Sequence, residues 1–323
     1  MEDPNYGSFV DALTLPKEDA SAIITWVNAG SPRGEGNDPL AEMPSAKQNY
    51  PFTWPNRLGE PDLVITLPKR AIQAYGTVDF WRPSVRVRIP DGKDKWLRAA
   101  VILPGNVAVV HHCLVFDGPE GEQASGLGGF FAGYVPGVQG GLLEYPAGTG
   151  KRVKNGSTLN FQMHYATTGK TETDQTKIGL YFHDSAPQRE LVTRSAYSTS
   201  INIPANRADV KVKAAYTFAS DSYVYELSPH MHYRGSRFRF VAFYPDGTRE
   251  TLLSVPRYEF DWQRVYRLKA PRFMPRGTRI VCIGGYNNTA LNHENPNPRA
   301  SVKFGLQSND EMFIGYISYA VSR

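Results

Sequence analysis

From about residue 61 onward, short runs rich in Val, Ile, Leu, Tyr and Phe recur at close intervals, each bounded by turn residues. Examples are Asp62 to Ile65, Val85 to Ile89, Leu97 to Leu103, Val107 to Phe116, Leu159 to Tyr165 and Ile178 to Phe182. A second series begins near Ser200 and includes Tyr223 to Met231, Phe238 to Tyr244, Gln263 to Leu268, Thr278 to Ile283 and Met312 to Tyr319. Runs of this length and composition, separated by Pro104-Gly105-Asn106, Asn155-Gly156 and Pro245-Asp246-Gly247, predict antiparallel strands joined by tight turns. The expected fold is all-β: two antiparallel β-sandwiches in tandem, with a boundary between Pro187 and Asn206. We set the domains at 61–197 and 198–323.

Residues 1–60 read differently. Leu15-Pro16-Lys17-Glu18-Asp19 leads into Ala20, Ile23, Ile24, Trp26 and Val27, and Gly30 and Pro32 follow. Pro and acids in a first turn with a Gly stop predict one amphipathic helix. From Ser31 to Pro61 the chain is rich in Pro, Gly, Asn and charge, which predicts a linker draped over the body and anchored by Phe52 and Trp54.

Composition narrows the class. Hydrophobic residues make up 41% of the 323, with 29 Gly and 24 Pro, which describes a turn-rich globular protein. Its 36 Lys and Arg against 31 Asp and Glu are scattered, so the net charge of +5 gives no reason to expect nucleic acid as a partner. No apolar stretch approaches the ~20 residues needed to span a bilayer, and Met1-Glu2-Asp3-Pro4 lacks the features of a signal peptide. Cys113 and Cys282, the only two cysteines, lie too far apart for a multi-Cys zinc site and are either buried thiols or one long-range bridge.

The candidate chemistry lies in the histidines. His230 and His232 flank Met231, and an i, i+2 spacing in a strand puts both imidazoles on one face, where they can chelate one ion or simply be surface or core residues. His111 and His112 close the apolar run Val107 to Val110; adjacent strand residues point to opposite faces, so a shared ion requires a strand end or bulge there. His164 shares a strand face with Gln162, and alone would read as a core histidine bonded to backbone. Jointly, each half of the body supplies a close His pair and one further ligand from a later strand: His111, His112 and His164 in the first, His230, His232 and Met312 in the second. Imidazoles suit Zn, Cu or Ni, whereas a thioether selects soft Cu(I). Met312, and the lack of a Glu base beside either pair, argue against a zinc hydrolase.

The stretches His111-His112-Cys113-Leu114-Val115-Phe116, Gln162-Met163-His164-Tyr165, His230-Met231-His232-Tyr233-Arg234-Gly235 and Asp310-Glu311-Met312-Phe313-Ile314-Gly315-Tyr316 resemble the four copper-ligand motifs of the ascorbate-dependent type II copper monooxygenases, the family of peptidylglycine α-hydroxylating monooxygenase and dopamine β-monooxygenase. The resemblance runs from about Pro61 to Arg323. It implies jelly-roll-like sandwiches facing each other across a solvent-filled cleft, with two copper ions per chain. The three-His copper would store and pass an electron; the His230, His232 and Met312 copper would activate O2 beside a small organic substrate, converting C–H to C–OH. It further implies Gln162 as a supporting residue near the electron-transfer copper and an external reductant such as ascorbate or a cytochrome.

Departures from the animal pattern are equally legible. Where the peptide-processing enzyme holds its substrate's carboxylate with an arginine and an asparagine, this chain has Ser228 and Ile314; only Tyr316 matches among these substrate positions. The closer likeness is to bacterial members carrying Ser228-Pro229-His230-Met231-His232-Tyr233-Arg234-Gly235, often preceded by a c-type cytochrome module. The predicted helix ending at Pro32 resembles that module's last helix, although no Cys-x-x-Cys-His occurs. The expectation is a periplasmic or extracellular copper monooxygenase, with a non-catalytic copper-binding subunit of the same fold as the alternative.

Overall fold

The computed structural model describes residues 3–10, 15–37, 53–76, 80–117, 129–134 and 141–321. The described residues are all-β apart from one helix, α1 (Lys17–Asn28), which starts at Pro16 and carries Glu18 and Asp19 in its first turn. Residues 11–53 form one compact unit, and residues 1–10 with 54–323 form the other. None of the helix residues is buried. Phe52 lies outside the described residues, while Trp54 packs with Leu58 against Ala99, Val101 and Tyr181.

The main strands of the larger unit are β1 (Leu63–Thr66), β2 (Lys95–Leu103), β3 (Val110–Asp117), β4 (Phe130–Tyr134), β5 (Thr149–Val153), β6 (Thr158–Tyr165) and β7 (Lys177–Phe182), followed by β8 (Val192–Tyr197), β9 (Val210–Thr217), β10 (Ser222–His230), β11 (Gly235–Phe243), β12 (Arg249–Val255), β13 (Tyr266–Met274), β14 (Arg279–Tyr286) and β15 (Ile314–Val321). One sheet runs β1, β7, β2, β5; a second contains β6, β3, β4 in that order. In the later part of the chain the order is β8, β15, β10, β13 in one sheet and β9, β14, β11, β12 in another. Those last two sheets share a core that includes Leu227, Ile317 and Tyr319 from the first and Phe238, Phe240 and Cys282 from the second. Strand β9 shows why its sequence sits at an edge: Val-Lys alternation gives one half-buried and one exposed face, and exposed lysines discourage further pairing there.

Pairing changes hands at Leu191. Arg189 and Glu190 pair with β5, whereas β8 pairs along its whole length with β15, so residues 192–197 belong with the later sheets and not with the earlier ones as the 197/198 boundary had them. Cys113 on β3 and Cys282 on β14 are buried free thiols in different sheets. Burial pushes both well above the usual thiol range, so they stay protonated and inert.

Candidate metal centre

Strand β3 begins at Val110, so the histidine pair sits near its start and does not close a strand from Val107. The reason is Asn106, whose side chain accepts a hydrogen bond from the Ala108 N–H at 3.0 Å; its backbone carbonyl receives the Val109 and Val110 N–H groups, turning 106–109 into a tight bend. Opposite, on β6, His164 pairs with His112 but Tyr165 pairs with Val110, so His111 is the extra residue of a bulge. That irregularity lets adjacent side chains approach one another: the Nδ1 atoms of His111 and His112 are 3.1 Å apart. Two nitrogens at that separation subtend about 100° at an ion ~2.0–2.1 Å from each, a normal ligand angle.

The ring of His164 lies 4.0 Å from that of His112, stacked at 28°. Ring faces carry no lone pair, so His164 must turn its edge toward the pair to complete a three-nitrogen set. Among the described residues, no three or more His, Cys, Asp or Glu side chains already converge on one point. Gln162 is buried two residues earlier in β6.

In the second set, β10 ends at His230, and His232 lies in the turn beyond it, so the two do not share one strand face. Their rings stand 5.3 Å apart and nearly perpendicular. The turn is held from 79 residues away: the fully buried carboxylate of Glu311 accepts the His232 N–H at 3.0 Å and, 77 residues distant, the Arg234 N–H at 2.7 Å. Arg234, also buried, donates onward to Asn288 Oδ1 and the Asn309 carbonyl. Gly235 is required here, because a Cβ would stand 2.8 Å from Met231 Cβ and from Tyr258 Cδ1. Met312, next to Glu311, is buried, and its carbonyl accepts the Tyr286 hydroxyl at 2.6 Å. It precedes β15 and does not start it.

The outer nitrogens of the second pair are committed. Gln263 donates its amide N–H to the Phe260 carbonyl at 2.9 Å, which orients Oε1 toward His230 Nδ1 at 2.6 Å. His232 Nδ1 faces the Asp310 carbonyl at 3.2 Å. Gln263 Oε1 is an acceptor, so His230 carries its proton on Nδ1 and keeps a lone pair on Nε2; His232 meets a second backbone acceptor at Gln307.

Electrostatics favour the ligating form at His112, His164, His230 and His232. Burial, then the neighbouring His164, holds His112 well below its ordinary value. Burial first, then His111, lowers His164 to about 3; burial first, then His230, lowers His232 to about 3. His230 is lowered by burial against the opposing bond to Gln263. These imidazoles are neutral at pH 7, the state a metal needs.

The two sets adjoin one another. The Phe260 ring stacks 6.2 Å from His111 at 20° and meets His232 edge-on at 5.9 Å, and His112 lies within electrostatic reach of both His230 and His232. An aromatic ring, and not the solvent expected of a cleft, fills the space at this point. Beside His230 opens a cavity of about 90 Å³ walled largely by Leu114, Phe130, Phe131, Leu142, Leu143 and Leu227. Ser228 and Tyr316 also line it, directly paired across β10 and β15. Ile314, opposite His230, is fully buried and forms no part of that wall. Glu226 reaches the cavity with its charge met by Arg267, whose Nε donates to it at 2.9 Å.

No family model matches the chain, and no curated protein matches it. Among solved structures it is similar to the VP2 subviral particle of infectious bursal disease virus, at 10% identity over 81% of this chain and 75% of that one, with a TM-score of 0.24. The Gx strain of the same virus gives 9% identity over 81% and 73%, with a TM-score of 0.25.

Gln263, Phe260, Asp261 and Glu311 are functional neighbours that sequence reasoning did not single out. They sit in Phe260-Asp261-Trp262-Gln263 and beside Met312, with no ligand-like spacing of their own.

Proposed function

We propose that the protein is a copper-dependent monooxygenase, with tandem sandwiches contributing one ligand set each: His111, His112 and His164 to an electron-transfer copper, and His230, His232 and Met312 to an oxygen-activating copper. The observation that carries this reading is the tautomer of His230, whose Nδ1–H is taken by Gln263 Oε1 while its Nε2 keeps a lone pair. Metal-bound histidines commonly hand their outer N–H to such an acceptor, which fixes the ring for ligation through the other nitrogen. A thioether in the same ligand set as two imidazoles would favour copper over zinc. When bound, the copper pair supplies one-electron storage at one site and O2 activation at the other.

The chain's own residues then bind and orient. Leucine and phenylalanine side chains of the cavity exclude water from the space next to His230 and receive an apolar portion of a small organic substrate. Tyr316 and Ser228 line the same cavity, and the Ser228 hydroxyl donates to the Arg264 carbonyl at 3.0 Å. His112, His164 and His232 are neutral at pH 7, so none carries a second ring proton that would have to be displaced on ligation. Ascorbate or a c-type cytochrome is the proposed reductant. The test is copper analysis with substrate-dependent oxygen uptake: about two ions per chain, falling to about one in His230→Ala/His232→Ala, together with uptake that requires substrate, supports an enzyme. Two ions without uptake under any substrate and reductant would favour a copper-handling subunit.

A further inference from the structure

One segment, Tyr258 to Arg264, contacts both histidine sets in alternation. The Tyr258 hydroxyl donates to the Met231 carbonyl at 2.7 Å and accepts the Met231 N–H at 2.9 Å, pinning the segment between the two histidines of the second set. Phe260 lies against His111 and His232, and Gln263 holds His230. Asp261 turns the other way: its Oδ1 stands 3.4 Å from Nε2 of His111, a residue of the earlier sheets.

The two nitrogens of His111 therefore have different neighbours. Nδ1 faces His112 Nδ1 at 3.1 Å, the separation a shared ion requires. A histidine ligated through Nδ1 carries its proton on Nε2, and the group that Nε2 meets is a carboxylate. A carboxylate against the outer nitrogen of a ligating imidazole would restrain the ring's orientation and raise its basicity. Packing does not account for Asp261, whose side chain is 70% exposed.

Resting on the copper reading above, we propose that Asp261 is a positioning residue for His111, so that the first ligand set is completed by a residue borne on the second set's own loop. The occupancy and potential of the electron-transfer site then depend on the loop that shapes the oxygen-activating one. Removing the carboxylate loosens the His111 ring and withdraws negative charge that favours Cu(II).

The test uses the full chain as wild type, Asp261→Ala and Asp261→Asn, with anaerobic Cu(I) competition against a chromophoric chelator and redox titration followed by electron paramagnetic resonance. Asp261→Ala should weaken the three-His site by about 10–100-fold while leaving the second site within about twofold, and should raise the potential of the affected copper. Asp261→Asn keeps an acceptor for Nε2–H, so it should recover most of the affinity but not the potential. An unchanged melting temperature of the metal-free variants excludes general unfolding. The inference is overturned if Asp261→Ala matches wild type in both affinities and potential, or if it weakens both sites equally. A wild type that binds no copper at the three-His set overturns the functional reading and this inference together; a wild type with two coppers and an inert Asp261→Ala overturns this inference alone.

Discussion

Gln263→Met should weaken copper binding at the second site without disturbing the first. Its Oε1 sits 2.6 Å from His230 Nδ1, and the amide is held in that orientation by its own bond to the Phe260 carbonyl. Methionine preserves length and volume but accepts no hydrogen bond of comparable strength, so ligation through Nε2 would leave the Nδ1–H without its partner in a partly buried site. Leaving such a donor unsatisfied costs about 1–3 kcal/mol. A conservative part of that range, about 1.4–2.7 kcal/mol, corresponds to a 10–100-fold loss of affinity, the same span found for outer partners of metal-bound histidines. Gln263→Glu retains the acceptor and adds charge, so it should bind at least as tightly as wild type. Anaerobic Cu(I) competition titrations on metal-free protein measure both variants, with thermal melting as a control for folding. A Gln263→Met affinity within about twofold of wild type would refute the tautomer argument, and so would a Gln263→Glu variant as weak as Gln263→Met.

Met312→Ala should abolish hydroxylation and remove the Cu–S contribution from the copper K-edge spectrum of the Cu(I) form while the three-His copper is kept; because Met312 is buried, the same change should cost ~2–5 kcal/mol of stability through its cavity. His164 has a folded value of about 3 against 6.5 when unfolded, so between those values the unfolded chain binds a proton that the folded one refuses, and stability falls as pH falls through that window. Denaturant titrations of metal-free wild type and His164→Phe should therefore diverge, the wild type losing about 1.4 kcal/mol more per pH unit below 6.5 and showing no difference in slope above it. Gly235→Ala should destabilise by about 1–3 kcal/mol, since its new methyl meets Met231 and Tyr258 at 2.8 Å, and should loosen the His232 turn, measured as a lower melting temperature and weaker Cu(I) binding.

The strands most legible in the sequence were those whose apolar runs are long and cleanly bounded, such as β2, β6 and β14, because burial on a pleated sheet imposes the pattern directly. The start of β3 was misplaced because Val107-Ala108-Val109 looks like strand, yet one asparagine side chain captures the local backbone and bends it. His232 was read onto a strand face because spacing carries no knowledge of Glu311, whose carboxylate takes its N–H from 79 positions away. The candidate ligands were visible as residue types in ordered pairs. Their supporting residues were not: Asp261 and Gln263 are ordinary polar side chains in a loop, and only the return of that loop to His111 and His230 gives them a role.

The order of strands in the sheet carrying His230 has a bearing on how the protein is made. Strand β15 lies in the middle, between β8 and β10, although it is built from residues 314–321, about ninety positions after β10. During synthesis, β8, β9 and β10 all emerge before the strand that joins β8 to β10, and the sheet cannot close until residues 314–321 have left the ribosome. Long-range pairing of this kind is slow and leaves apolar edges open in the meantime. Met312 and Glu311 arrive with that same segment, so the turn bearing His232 acquires its anchor only once that segment has been made. A nascent chain stalled before β15 would thus expose two unpaired strand edges and an unanchored histidine pair, which makes the interval between β10 and β15 the stage at which misfolding and chaperone capture are most favoured.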